Sequence, residues 1–275
     1  MGIEQKVAEH YSRSILEHTI LDALKAAGKD VDHLTHADLA PVDEFHIGGR
    51  QATIDFAEQL GAKKGMHLLD IGCGIGGASR YFAIDRGCRV SGIDLTEDYV
   101  RTATLLSQRV GLADQVTYRQ ASALTLPFTD RTFDGAYMLH VGMNITDKAT
   151  LFTEARRVLK PGGTFGIYDV MRESDDAFVY PVPWSTQPET NFIAAASEYK
   201  RDLTAAGFKV RHERSRRDFA IEFFHQMREW MMQGGPSPLG LQIIMGETAP
   251  QKVANMIALL DRGVIAPTEI ICRVQ

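Results

Sequence analysis

The stretch HLLDIGCGIGGASRYFA, at residues 67–83, decides the fold because it places four glycines within six residues directly after an apolar run. The apolar run predicts a buried strand, and the residues after the glycines predict a helix. Glycines at the carboxyl end of a parallel strand allow a sharp turn and let a ligand approach the backbone, while the next helix presents free N–H groups. The stretch therefore indicates a nucleotide-binding position.

Strands and helices alternate from this stretch to the end of the chain. The segments RVSGIDL, QVTYRQ, FDGAYMLHV and TFGIYDV predict strands, and the first helices end near glycines. Thr146 is the expected N-cap of the helix in ITDKATLFTEARRVLKPGG, and KPGG at 160–163 is expected to end that helix and turn into the next strand. The remaining elements are a helix at 195–206, a strand at 208–215, helices at 218–233 and 250–262, and a strand at 268–274. This alternation predicts an α/β fold with a parallel sheet and helical crossovers.

Two segments fall outside this alternation. Residues 1–45 are predicted to be helical up to Gly28, and the segment after TFGIYDV is rich in proline and polar residues. We expect an N-terminal helical cap at 1–45 and a main domain at 46–275, with lid insertions at about 171–194 and 215–266. Ordinary surface connections are the alternative, although loops longer than about 12 to 15 residues are more often functional in compact domains.

Composition and charge exclude several classes of partner. The chain has 275 residues, 44% of them hydrophobic, which is enough for a sizeable core, and a formal net charge of −5 without a basic block. We therefore expect no nucleic-acid partner. The sequence has no run of 18 apolar residues and no signal-peptide pattern, so we expect no membrane span and a cytoplasmic location. The three cysteines have no metal-ligand spacing, which predicts free thiols and no metal site. The sequence leaves open whether the protein forms a homodimer.

The glycine pattern alone leaves the ligand open. Gly72, Gly74 and Gly77 spell the dinucleotide fingerprint GxGxxG, and Asp94 ends the second strand, where a ribose-binding acid is expected. Asp70 and Gly76 weigh against that interpretation, since Gly76 gives the alternative pattern GxGxG. A dinucleotide needs the helix N-terminus for its pyrophosphate, whereas S-adenosylmethionine has no phosphate and needs room for its amino-acid end and its sulfonium.

Four segments, in this order and spacing, resemble class I S-adenosylmethionine-dependent methyltransferases: LLDIGCGIGGASRYFA, VSGIDL, LPFTDRTFDGAYMLHV and RVLKPGGTFGIYDV. Over residues 43–275 the chain is similar to small-molecule methyltransferases of the ubiquinone and menaquinone biosynthesis type and to sterol, sarcosine/dimethylglycine and coclaurine methyltransferases. The resemblance implies a Rossmann-like, doubly wound sheet in the strand order 3214576, with the last strand antiparallel and a helical insertion before it. It also implies methyl transfer from S-adenosylmethionine to a small organic acceptor at O, N or C, with S-adenosylhomocysteine as the product. An NAD-dependent oxidoreductase and a non-catalytic S-adenosylmethionine-binding protein are the alternatives.

The resemblance further implies where the cofactor binds. Asp70 and the backbone after it would surround the methionine moiety, and Asp94 would accept hydrogen bonds from both ribose hydroxyls, which suits a carboxylate. Leu95 would flank the adenine. Family members usually carry aspartate after the third strand, whereas this chain has Ser122, which can accept from the adenine amino group while the Ala123 N–H reaches a ring nitrogen. The expected cofactor-binding residues are Asp70, Gly72, Cys73, Gly74, Gly76, Asp94, Leu95, Ser122, Ala123 and Leu139.

The end of the fourth strand is where such enzymes meet the methyl acceptor. Methyl transfer from a sulfonium is an in-line displacement, so the protein must align the nucleophile and deprotonate it if it arrives protonated. His140 is the candidate base, because Met143 and Asn144 stand where sterol- and coclaurine-type relatives show Glu-His, and a histidine that only lines the pocket is the alternative. His46, in DEFHIGG, is a second candidate catalytic residue. The candidate substrate-binding residues are Tyr11, Asn144 and Trp184.

An apolar series at helical spacing leaves the character of the acceptor open. A buried helix face is the simplest interpretation, whereas a pocket wall would indicate an apolar or aromatic acceptor. The members of the series are Phe219, Phe223, Phe224, Met227, Trp230 and Met231.

Overall fold

A computed structural model describes residues 2–12, 16–234, 240 and 242–275, with one seven-stranded sheet at the centre. The strands are β1 (His67–Ile71), β2 (Arg89–Asp94), β3 (Val116–Gln120), β4 (Phe133–Leu139), β5 (Leu159–Arg172), β6 (Phe208–Ser215) and β7 (Ile265–Val274). Their order is β3-β2-β1-β4-β5-β7-β6, and β7 runs antiparallel to both neighbours. The predicted Rossmann-like sheet in the order 3214576 is therefore confirmed.

Helices flank the sheet and extend beyond its carboxyl edge. They are α1 (Ile3–Tyr11), α2 (Leu16–Ala26), α3 (His36–Asp43), α4 (Gly49–Leu60), α5 (Gly77–Arg86), α6 (Glu97–Arg109), α7 (Lys148–Val158), α8 (Ala196–Ala205), α9 (Arg217–Gly234), α10 (Gln242–Met245) and α11 (Ala249–Asp261). None of the helices in the described ranges is long and apolar enough to cross a membrane.

The two faces of the sheet are buried under different helices. Consecutive strand residues point to opposite faces, so in β5 Phe165 joins a cluster with Phe152 of α7, while Tyr168 joins a second cluster with Phe56 of α4. All four side chains are fully buried. The central strands β1, β4 and β7 are covered on both faces and apolar at most positions, which explains why they could be predicted as apolar runs, whereas the edge strands β3 and β6 are largely polar.

Two helices differ from the prediction. The N-terminal segment was expected to be helical only up to Gly28, yet α3 forms after a loop, with Pro41 inside it. The backbone N–H and the hydroxyl of its N-cap residue Thr35 both donate to the Asp38 carboxylate, and the Asp38 N–H donates to the Thr35 carbonyl oxygen at 3.1 Å, so the first turn is stabilised. The short helix α10 between α9 and α11 was also not predicted.

The boundary between α7 and β5 differs in detail. Asp147, and not Thr146, caps α7, because its carboxylate accepts the backbone N–H of Thr150 at 2.9 Å. The expectation for Thr146 is therefore wrong by one residue. The KPGG segment does not separate two elements but bulges within β5, since Leu159 pairs with Phe133 and the next paired residue is Thr164.

Three segments lie near the carboxyl edge of the sheet and bear on the predicted cap and lids. The segment between β5 and α8 covers one part of this edge, and α9 to α11, which connect β6 to β7, cover another. Helices α1 to α3 supply the remaining cover from the N-terminal side. The division into a cap at 1–45 and a domain at 46–275 stays a prediction.

Candidate active site

The glycine loop after β1 folds over the end of β2. The backbone N–H groups of Gly72 and Cys73 both donate to the carbonyl oxygen of Ile93, at 2.8 and 2.9 Å. The N–H of Gly74 donates to Oδ2 of Asp94 at 2.9 Å. Because these three amides already have acceptors, they are not free N–H donors for a ligand.

Two of the glycines are required by close packing. Gly72 has a φ of +74°, and a Cβ at this position would lie 2.5 Å from Cγ2 of Val141. At Gly77 a Cβ would lie 2.0 Å from the carbonyl oxygen of Asp43. Gly74 faces open space, and Gly76 is not among the cavity-lining residues. The glycine density therefore reflects the approach of the β4 loop and of α3 as well as the approach of a ligand.

A buried ion pair joins the N-terminal segment to the start of α5. The guanidinium of Arg80 binds the carboxylate of Asp43, and both side chains have 0% exposure. Arg80 also donates to the carbonyl oxygen of Ile75 at 2.8 Å and to Oγ of Ser107 at 3.2 Å. The end of α3 therefore occupies the space beside the first turn of α5, where a dinucleotide would place its pyrophosphate.

Two carboxylates, the buried Asp70 and the half-buried Asp94, lie at the carboxyl edge of the sheet. Asp70 is 2% exposed and accepts the hydroxyls of Ser79 and Tyr137 at 2.6 and 3.0 Å. Burial raises the pKa of Asp70 to about 7, and it also raises the pKa of Asp94. Among the described residues neither carboxylate forms an ion pair. Two desolvated negative charges without a cationic partner favour a ligand that carries positive charge.

One continuous cavity of about 1350 Å³ runs from the glycine loop to α9 and α11. At the sheet end its wall includes Asp94, Leu95, Ala123 and Leu139, all of which were predicted to contact the cofactor. Ser122 does not line the cavity. Its hydroxyl donates to the carboxylate of Glu4 in α1, a cavity-lining residue that no sequence pattern indicated.

His140 lies at the end of β4 in a left-handed conformation, with a φ of 57° that is uncommon for a residue other than glycine. Its Nε2 accepts the backbone N–H of Ile47 at 3.3 Å, so the proton is on Nδ1, which donates to the carbonyl oxygen of Tyr168 at 3.2 Å. Burial, together with the neighbouring His46, lowers the pKa of His140 to about 3. The ring is therefore neutral at pH 7 and both of its nitrogens have partners.

His46 lies beside His140, with 5.9 Å between the ring centroids. Its Nε2 is 3.1 Å from Oγ1 of Thr53, whose hydroxyl donates to Glu44. Burial lowers the pKa of His46 to about 4. The structure thus brings both candidate catalytic residues to the cavity wall, in a neutral and hydrogen-bonded state.

The three candidate substrate-binding residues also line the cavity. The hydroxyl of Tyr11 donates to Oδ1 of Asn144 at 3.4 Å, which connects α1 to the loop after β4. Trp184 is 3% exposed, and its Nε1 donates to Oδ1 of Asn191 at 2.9 Å. Trp184 therefore presents an apolar ring to the cavity while its polar atom is bound elsewhere.

The apolar series on α9 is divided between the cavity and the core. Phe223, Phe224, Met227 and Trp230 line the cavity. Phe219 instead packs under the guanidinium of Arg216, 3.9 Å from the ring centroid, and the side chain of Met231 lies outside the described residues. The part of the cavity wall that helices α9 to α11 supply is thus predominantly apolar, with further lining from Met245, Val253, Met256 and Ile257.

No group of three potential metal-ligating side chains occurs within the described part of the chain, and all three cysteines are free and buried.

Comparison with known proteins identifies the central part of the chain. Residues 69–167 match the family described as "Methyltransferase domain". A sterol 24-C-methyltransferase of Gibberella zeae, ERG6B, is 36% identical over 113 residues, which cover 41% of this chain and 30% of that protein. The chain therefore spans less than a third of that relative. A sterol 24-C-methyltransferase of Eremothecium gossypii is 28% identical over 301 residues, covering 96% of this chain and 79% of that protein.

A solved structure extends the likeness to the whole fold. Geranyl diphosphate C-methyltransferase from Streptomyces coelicolor A3(2), in complex with Mg²⁺, geranyl diphosphate and S-adenosyl-L-homocysteine, superposes with a TM-score of 0.72 at 18% identity. The match covers 100% of this chain and 98% of that chain. At this identity the likeness shows the fold alone.

Proposed function

Starting from the class I S-adenosylmethionine-dependent methyltransferase domain that the chain carries, we propose that the protein transfers a methyl group from S-adenosylmethionine to an apolar small molecule. The observation that carries the proposal is the pair of carboxylates, the buried Asp70 and the half-buried Asp94, beside the loop amides of residues 72–74, which already have acceptors. An ammonium group placed near Asp70 would relieve the unfavourable burial of that carboxylate. A pyrophosphate would meet two carboxylates, and the amides of residues 72–74 already have acceptors.

The residues present fit S-adenosylmethionine. Asp94 uses one acceptor position on each oxygen, for the N–H groups of Gly74 and Thr96, and an ionised carboxylate has about four such positions. Positions therefore remain for two ribose hydroxyls. Leu95 and Ala123 offer apolar walls for the adenine, and Asp70 with the carbonyl side of the glycine loop would hold the ammonium. When bound, the sulfonium supplies an electrophilic methyl group.

The shape and polarity of the cavity support an apolar acceptor. Its volume of about 1350 Å³ exceeds the roughly 300–1,000 Å³ of ordinary ligand pockets, so there is room for a cofactor and an acceptor together. Phe224 and Met227 of α9 and Trp184 of the β5–α8 segment form one apolar part of its wall, which we propose as the acceptor end. Their contribution would be to bind and orient an apolar molecule and to exclude water from the methyl-transfer site.

For His140 we propose a positioning role. The ring connects the backbone of Ile47, at the start of α4, to the backbone of Tyr168 in β5, and so fixes the wall between the glycine loop and the acceptor end. An effective general base has a pKa near the working pH, whereas the pKa of His140 is about 3 and that of His46 about 4. Catalysis by either ring as a base is the alternative, and it predicts a different kinetic result, given in the Discussion.

Binding calorimetry tests the cofactor assignment. The protein is titrated with S-adenosylhomocysteine and, separately, with NAD, and we expect binding only of the former. Asp94→Ala should weaken that binding by about 1.5–3 kcal/mol, the scale of hydrogen bonds to a charged group. The matched control is Asp114→Ala, an exposed loop aspartate outside the cavity wall. Binding of NAD without binding of S-adenosylhomocysteine would overturn the proposal.

Transfer of a radiolabelled methyl group tests the activity. Apolar acceptors, including isoprenoid and polycyclic alcohols, are compared as methyl acceptors with small polar amines such as glycine. We expect label in the apolar fraction and a reduced yield for Phe224→Ala, which removes an apolar surface from the acceptor end. Cofactor binding without any transfer would instead favour the non-catalytic alternative. A cytoplasmic location and a homodimer remain predictions, and light scattering on the purified protein tests the second.

A further inference from the structure

The adenine end of the cavity lacks the aspartate that similar methyltransferases carry after the third strand. Ser122 occupies that position, and it does not line the cavity. We propose that Glu4 of α1 supplies the missing carboxylate and recognises the amino group of the adenine. This inference rests on the proposed function, because it assumes an adenosine-bearing cofactor.

The contact between Glu4 and Ser122 places a carboxylate at this end of the cavity. Glu4 lies in the first turn of α1 and lines the cavity, and its Oε1 accepts the hydroxyl of Ser122. The Oγ of Ser122 accepts the backbone N–H of Leu124 at 3.0 Å, so its single proton is directed to Glu4. Ser122 therefore acts as a fixed donor that orients Glu4.

The other carboxylates of the cavity have different partners. Among the described residues five line the wall: Glu4, Asp43, Glu44, Asp70 and Asp94. Asp43 is paired with Arg80, and Glu44 with Arg50 at 3.0 Å. Asp70 and Asp94 lie at the ends of β1 and β2, where the methionine and ribose ends are proposed. Glu4 is thus the carboxylate that lies beside Ser122, in the segment after β3.

The chemistry of a carboxylate suits an exocyclic amine. One hydrogen bond from Ser122 leaves acceptor positions on Glu4 for the two N–H donors of an adenine amino group. A carbonyl oxygen at the same ring position would instead face a negative charge without a donor. Helix α1 also contacts the loop after β4 through Tyr11. It contacts the β5–α8 segment through His10, whose Nε2 lies 3.2 Å from the carbonyl oxygen of Pro183. Adenine binding at Glu4 would therefore add a further contact that holds α1 in place.

A binding cycle tests the proposal without any measurement of activity. S-adenosylhomocysteine and S-inosylhomocysteine differ in the ring substituent, an amine in the first and a carbonyl oxygen in the second. Their dissociation constants are measured by calorimetry for the wild type, Glu4→Ala, Glu4→Gln and the control Glu9→Ala. Glu9 is an exposed acid on the same helix that does not line the cavity.

We expect the wild type to prefer the adenosyl compound and Glu4→Ala to lose that preference by about five- to tenfold, the scale of one partly exposed hydrogen bond to a charge. Glu4→Gln should lie between these two, because an amide oxygen still accepts but carries no charge, and Glu9→Ala should match the wild type. An unchanged adenosyl-to-inosyl ratio in Glu4→Ala, with tight binding retained, refutes the inference alone. Absence of binding by the wild type refutes the proposed function as well.

Discussion

The buried ion pair between Asp43 and Arg80 predicts that the N-terminal segment is an integral part of the fold. Replacing Asp43 by asparagine removes the partner of a guanidinium with 0% exposure, which is left with the carbonyl oxygen of Ile75 and the hydroxyl of Ser107. Breaking a buried pair on one side costs about 3–5 kcal/mol, because the remaining charge is buried without compensation. We expect Asp43→Asn to lower the free energy of unfolding by that amount.

The assay is urea denaturation followed by circular dichroism, with the midpoint and the slope fitted separately. The control is Asp32→Asn in the same N-terminal segment. Asp32 is 80% exposed and lies 3.4 Å from Arg109, so the loss should be within about 0.5 kcal/mol.

A double variant keeps the test decisive if Asp43→Asn does not fold. Asp43→Leu combined with Arg80→Met replaces both charges by apolar groups, and it should be more stable than Asp43→Asn. The argument is refuted if Asp43→Asn unfolds at the same urea concentration as Asp32→Asn. It is also refuted if the double variant is no more stable than Asp43→Asn.

Two further predictions concern the site. The pKa of Asp70 is about 7 in the free protein, and an ammonium ligand favours the ionised form, so the affinity for S-adenosylhomocysteine should rise roughly tenfold from pH 6 to pH 8 with release of a proton. Calorimetry in two buffers measures both the affinity and the proton release. Asp70→Asn should abolish the pH dependence of the affinity. An affinity of the wild type that does not change with pH would contradict the prediction. His140→Asn, which tolerates the left-handed backbone, should raise KM for the acceptor and leave the pH profile of kcat between pH 6 and 9 unchanged. A loss of roughly a hundredfold or more in kcat at constant KM would indicate a base instead.

Much of the fold could be predicted from sequence because it depends on local signals. The central strands, which are buried on both faces, are apolar runs, and Gly72 and Gly77 mark the turn after β1. Strand order followed from resemblance to a family and not from periodicity. The short α3 was missed because it has eight residues and contains Pro41, so it lacks the apolar periodicity that predicts longer helices. The exact cap of α7 was missed because Thr146 and Asp147 are adjacent residues of the type that caps helices.

The site was predictable where it depends on one loop and not where distant segments meet. Asp94 and Leu95 lie at the end of a predicted strand, so their place at the carboxyl edge followed from the topology. The contact of Glu4 with Ser122 joins residues 118 positions apart, and no local pattern marks it. Likewise, the low pKa of His140 arises from burial by segments that the sequence could not place around it.

The undivided cavity has a consequence for the design of inhibitors. Under the proposed function the adenosine group and the acceptor share this one space, so a single compound that tethers an adenosine group to a hydrocarbon tail would reach both parts of it. Tethering makes the second contact intramolecular and so increases affinity without any new interaction. Selectivity for this protein over other members of its fold would come from the tail, because Phe224, Met227 and Trp184 surround that half of the compound.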